Sequence, residues 1–209
     1  MTGALGAGVS ATCVAEQALL RTRAWLDRAV IGLNLCPFAK SVVVKNQVHF
    51  VVYPGDDPQT LLDLLRTEME ALAAADPEQR DTTLLIATGC LADFWEFNGF
   101  LPRADRVLRR AGLEGTLQIA SFHPQYQFMD AEADALSNYT NRAPFPTLHL
   151  LREASIDRAV RAFPQAELIF EKNMQTLEQL GHAGWVALGL EEANMPSCTG
   201  TSTLDGTPT

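Results

Sequence analysis

Between residues 14 and 35 apolar side chains return every three or four positions, at Ala18, Trp25, Leu26, Ala29 and Leu33. That spacing predicts an amphipathic helix over 14–35, closed before Pro37 because proline disfavours helical geometry in its predecessor. Residues 47–53 carry the β-branched and aromatic side chains of a strand. Pro54-Gly55 then turns the chain, and Asp57-Pro58 has the chemistry of an N-cap followed by proline at the first helical position. Leu61, Leu65, Met69 and Leu72 give the next helix its buried stripe, which Asp76-Pro77 ends. A short apolar strand is predicted over 82–88, and a helical region over 91–111 with an interruption near Gly99 to Pro102. Gly112 suits the left-handed residue that stops a helix. Strands follow at 116–122 and 147–151, with a helical turn or two at 130–136 between them. Two more helices are expected, at 155–163 and from Leu168 to Gly181.

Strands alternating with helices imply crossover connections. The expected fold is a single α/β domain over 14–191, with a mixed or mainly parallel sheet of about four strands covered by helices. Residues 1–13 read as a flexible leader and 192–209 as a disordered polar tail. No basic residue precedes a hydrophobic run at the N-terminus, so a secretory signal is not expected. The apolar runs are too short for a membrane span.

Composition narrows the function classes. Hydrophobic residues are 47% and charged residues 20%, as in an ordinary globular chain. A net charge of −9 argues against a general binder of nucleic acid, which needs a surplus of Lys and Arg. Arg103, Arg106, Arg109 and Arg110 are a local basic spot whose helical spacing reads as a solvated face. The cysteines, at 13, 36, 90 and 198, form no C-x-x-C pair. Reduced thiols and a cytoplasmic location are the expectation.

The anomaly is the stretch 121–153. Residues 124–146 join two strands by a connection far longer than usual, and long loops at strand ends of α/β proteins are where ligands bind. His123, at a strand end before Pro124, has the chemistry of a general acid or base; the bland alternative is a hydrogen-bonded core histidine. Arg142 could fork onto a carboxylate or phosphate, or lock the loop. Tyr126, Asn138, Asn141, His149 and Arg152 complete the expected substrate-binding set. His149 shares a strand face with Thr147 and Leu151, not with Leu148 and Leu150.

Cys36 stands outside this window. If Pro37 opens a helical turn, the positive dipole end would lower the thiol pKa and make Cys36 a nucleophile with His123 as base; otherwise it is a small buried hydrophobe. The competing arrangement is a zinc or iron site using His123, His149, Glu153 and Cys36, although no local ligand spacing supports it. Glycine-rich phosphate or dinucleotide motifs are absent.

Three segments, Gly32-Leu33-Asn34-Leu35-Cys36-Pro37-Phe38-Ala39, Ser121-Phe122-His123-Pro124-Gln125-Tyr126-Gln127-Phe128 and the run from Asn138 to Glu153, resemble the bacterial family known as domain of unknown function 1415. The resemblance covers about residues 25–181. It implies a bacterial cytoplasmic protein and carries no activity, cofactor or site. The expected function is therefore an enzyme acting on a small polar or anionic substrate through Cys36, His123 and Arg142. The alternatives are a metal-dependent enzyme, and a non-enzymatic module binding a small molecule or a protein. Substrate, reaction and oligomeric state stay open at this level.

Overall fold

A computed structural model of the chain describes residues 11–163, 165 and 168–190. Most of the expected leader and the whole expected tail lie outside these residues. Helix α1 (Ala11–Trp25) begins inside the segment expected to be leader, and it does not run on to residue 35 as α-helix. At Leu26–Ile31 it widens into a π-helical turn. Asn34 then takes a left-handed conformation, φ 55°, and the chain enters the short helix α2 (Ala39–Val44).

The central elements follow their local signals. Strand β1 (Val48–Tyr53) leads to α3 (Pro58–Ala74), where the Asp57 carboxylate accepts from the N–H groups of Gln59 and Thr60 at 3.0 and 2.9 Å. Strand β2 (Thr82–Ala87) is buried at every position and leads to α4 (Phe94–Arg110). The expected break near Gly99–Pro102 does not occur. Pro102 lies inside the helix, whose stripe of Phe94, Phe97, Phe100, Ala104 and Leu108 is buried. That burial outweighs the one backbone hydrogen bond that proline removes. Beyond α4 the N–H of Gly112 (φ 68°) reaches Arg109 O and that of Leu113 reaches Leu108 O, the paired bonds of a left-handed helix stop.

Strand β3 (Leu117–Phe122) is followed by the long connection 123–146, which contains a 3-10 turn at Leu136–Thr140 and not at 130–136. Strand β4 (Thr147–Arg152) runs directly into α5 (Glu153–Ala162), and α6 (Ile169–Ala187) follows. Gly181 does not end α6. It kinks the helix, at φ 64° and ψ 174°, and the chain continues to Ala187.

The sheet order is β1-β2-β4-β3. β1 and β2 are parallel, and β4 is antiparallel to both β2 and β3. Three parallel strands therefore accept one reversed strand between the second and third, making a mixed sheet in a single α/β domain. Alternation divides the core in two. Val51, Tyr53, Leu85, Leu117, Leu148 and Leu150 pack with α3 and α4 on one face. Val48, Phe50, Leu84 and Phe122 pack with Trp25, Leu26, Ala29 and Trp185 on the other. Among the described residues no helix is long and apolar enough to cross a membrane.

Candidate functional site

His123 follows β3 and turns toward the α4 side of the sheet, where its ring lies 5.1 Å from Phe97 and 5.3 Å from Phe94. It is fully buried. Its Nδ1 accepts from the Gln125 N–H at 3.0 Å, which places the ring proton on Nε2, facing Leu91 O at 3.1 Å. Both nitrogens are thus engaged. Burial holds the pKa below the ordinary histidine value, with a smaller opposing effect from the carbonyls of Leu91 and Ala92 and from Asp93. The imidazole joins the β2–α4 loop to the long connection.

The other polar groups of the connection chiefly bind its own backbone. Asn138, fully buried, accepts from the Phe128 N–H at 3.0 Å and donates to Glu132 O at 2.8 Å. Asn141 donates to Ser121 O at 3.1 Å. Arg142 donates to Tyr126 O at 3.3 Å and Ala133 O at 2.6 Å, with its guanidinium 4.5 Å from the Tyr139 ring centre. Tyr126 packs its ring against Phe94 and Phe128. A segment with few ladder bonds satisfies its carbonyls and amides with side chains in this way, and the density of amide and aromatic groups expected of a ligand site serves that purpose here.

His149, Arg152 and Glu153 do not gather with His123. On β4, His149 faces the α1 side, opposite His123, and its ring lies 6.2 Å from Phe122. The Thr82 hydroxyl donates to Leu150 O at 2.6 Å, so His149 Nε2–H must donate to Thr82 Oγ1, also 2.6 Å away. Burial pushes the His149 pKa down to about 4, leaving a neutral ring. Arg152 sits at the far end of β4 and donates to Leu72 O, to Ala75 O at 2.6 Å and to Arg80 O at 3.2 Å. It closes the C-terminal end of α3, adding to the Ala75 N–H on Leu72 O and supplying a donor to Ala75 O. Glu153 begins α5 at that same far edge.

Cys36 follows the π-helical turn, its N–H 3.4 Å from Val30 O, in a segment packed on the α1 side. The sheet therefore stands between Cys36 and His123. Phe38, not Cys36, is the N-cap of α2. Burial pushes the Cys36 thiol up, against the lowering effect of the Phe38 and Ala39 amides, which agrees with the small buried hydrophobe and not with the dipole-lowered nucleophile. The proposed zinc or iron ligands His123, His149, Glu153 and Cys36 are spread over both faces and one edge. No group of three or more His, Cys, Asp or Glu among the described residues could hold a metal. Cys36 and Cys90 are free thiols.

A different cluster was missed. Helices α3 and α4 lie side by side on one face of the sheet, and the groove between them, about 440 Å³, is lined by Arg66, Arg103, Arg106 and Arg110 together with Asp63 and Glu70. Leu62 and Val107 also line it. Arg103 donates to Gln59 Oε1 at 2.9 Å, and Arg66 lies 4.0 Å from Glu70. Among the described residues Arg106 and Arg110 have no ion-pair or hydrogen-bond partner. Arg103, Arg106 and Arg110 stand on one helical face, half-buried at Arg103 and exposed at Arg106 and Arg110, as a solvated face requires; the sequence did not show that α3 lies opposite. β1, β2 and β3 run in one direction, so α3 and α4 are both crossover helices and pack side by side, and the polar row Gln59, Asp63, Arg66 and Glu70 on α3 was the signal available.

No curated protein and no solved structure matches the chain. A family model described as Protein of unknown function (DUF1415) matches residues 17–187. The chain belongs to that family.

Proposed function

We propose that this protein is a binding module for a small anionic molecule, held in the groove between α3 and α4. One observation carries the reading: four arginines from two helices outnumber the two acids of a single groove, on a chain whose net charge is −9. Like charges repel when gathered, and here two of the guanidinium groups have no partner among the described residues to offset that. A planar guanidinium forks onto a carboxylate or phosphate with two parallel hydrogen bonds, so an anion would complete the arrangement. The groove is open to solvent, with Asp63, Arg66, Glu70, Arg106 and Arg110 exposed, so the ligand would lie along the surface. This reading is preferred to the Cys36–His123–Arg142 enzyme, because His123 and Arg142 are already engaged and Cys36 is on the other side of the sheet.

Thermal denaturation of the wild type with millimolar phosphate, pyrophosphate or citrate, against chloride at equal ionic strength, tests it. At least one of these anions should raise the melting temperature, and the Arg106→Gln/Arg110→Gln double variant should lose the response. Wild-type protein that responds to none of them beyond chloride overturns the reading.

A further inference from the structure

The arrangement of the groove says more about its ligand than charge sign alone. Arg103, Arg106 and Arg110 occupy successive turns of α4, so their backbone origins extend over about 10 Å of helix at 1.5 Å per residue. A single phosphate or carboxylate is engaged by one or two guanidinium groups. Arg103 is held toward the start of α3 by Gln59, while Arg106 and Arg110, further along α4, have no ion-pair or hydrogen-bond partner among the described residues. Asp63 and Glu70 interrupt the basic lining, and carboxylates there accept hydrogen bonds from hydroxyl or amino groups.

From this row we infer that the ligand is a small molecule carrying two or more phosphoryl groups, long enough to engage successive turns of α4 at once. The inference rests on the reading of the groove as an anion site. A long nucleic-acid strand fits poorly, because the rest of a chain with net charge −9 repels an extended polyanion. A compact oligophosphate and a phosphorylated sugar share the required chemistry, and the groove's two acids favour the hydroxyl-bearing one.

Calorimetric titration at fixed ionic strength separates the cases, with inorganic phosphate, tripolyphosphate and a hexose bisphosphate as the actual probes. The expected result is that tripolyphosphate or the bisphosphate binds at least tenfold more tightly than phosphate. Arg103→Gln and Arg110→Gln should each weaken that binding roughly tenfold, by loss of a charge-assisted contact. Arg109→Gln, on the same helix but outside the groove lining, should leave it unchanged. Tighter binding of the bisphosphate identifies a phosphorylated metabolite, and tighter binding of tripolyphosphate an oligophosphate; either supports the inference. Equal affinity for phosphate and the multivalent probes overturns it while leaving anion recognition intact. Equal loss in the Arg109 variant overturns it by reducing the effect to bulk charge. No binding of any probe removes the anion reading itself.

Discussion

The Leu91 carbonyl faces the Nε2–H of buried His123 at 3.1 Å, and Leu91 holds a left-handed conformation, φ 60°, that a branched side chain rarely adopts. A strained residue persists only where its surroundings over-determine it, and the neutral imidazole between Phe94 and Phe97 supplies that constraint. His123→Ala removes both ring hydrogen bonds and leaves a cavity between two aromatic rings. Unfolding in urea should show a loss of about 2–4 kcal/mol. A loss below about 0.5 kcal/mol would mean that the ring is not structural.

His149 makes stability depend on pH. Its folded pKa, about 4, lies below the ordinary value of 6.5, so between these values the unfolded chain binds more protons. Stability is fully present above about pH 6.5 and falls on acidification toward pH 4, by at most about 3 kcal/mol from this group. His123, also depressed, acts in the same direction. Urea midpoints between pH 4 and 7 should fall with acidity, and His149→Gln should flatten that dependence. An unchanged slope in the variant would assign the effect elsewhere.

Arg152 satisfies backbone carbonyls at the end of α3 and at Arg80. Arg152→Met keeps most of the apolar volume but removes the side-chain donor to Ala75 O and Arg80 O and one of the two donors to Leu72 O, which should cost about 1–3 kcal/mol. Amide exchange should quicken first around residues 72–75. Uniform quickening across the chain would count against a local cap.

Two glycines should respond with opposite signs. A Cβ at Gly89 would lie 2.3 Å from Pro54 O and 2.6 Å from Gly55 O, so Gly89→Ala must push two strand-end loops apart. It should destabilise by about 1–3 kcal/mol. Gly99, inside α4, has open space around that position, and Gly99→Ala should stabilise by about 0.5–1 kcal/mol. Melting temperatures of the two variants should move in opposite directions.

The raised Cys36 thiol predicts slow alkylation at neutral pH. In a Cys90→Ser background, reactivity of Cys36 toward iodoacetamide should keep rising above pH 8.5, the ordinary thiol value. A plateau below pH 8 would restore the thiolate chemistry that its place before α2 suggests.

The elements were legible because their signals are local. Asp57 and Pro58 start α3, Gly112 stops α4, and alternation marks β3 and β4. Where local rules failed, packing intervened: Pro102 sits inside α4 because the aromatic stripe on either side is buried. The polar richness of the long connection was also legible, but not its purpose. Side chains that bond backbone and side chains that await a ligand have the same composition.

By itself the sequence determined an α/β chain with four strands, the Asp57 cap of α3, the Gly112 stop of α4 and a polar segment between β3 and β4. Only the tertiary structure decided that β4 enters antiparallel between β2 and β3. That placement turns His149 to the face opposite His123 and carries Arg152 and Glu153 to the far edge. It also decided that Arg66 meets Arg103, Arg106 and Arg110 across one groove. The physical reason is that periodicity fixes which residues share a face of one element. Which faces meet depends on strand order and crossover hand, and these follow from burying both faces of the sheet at once.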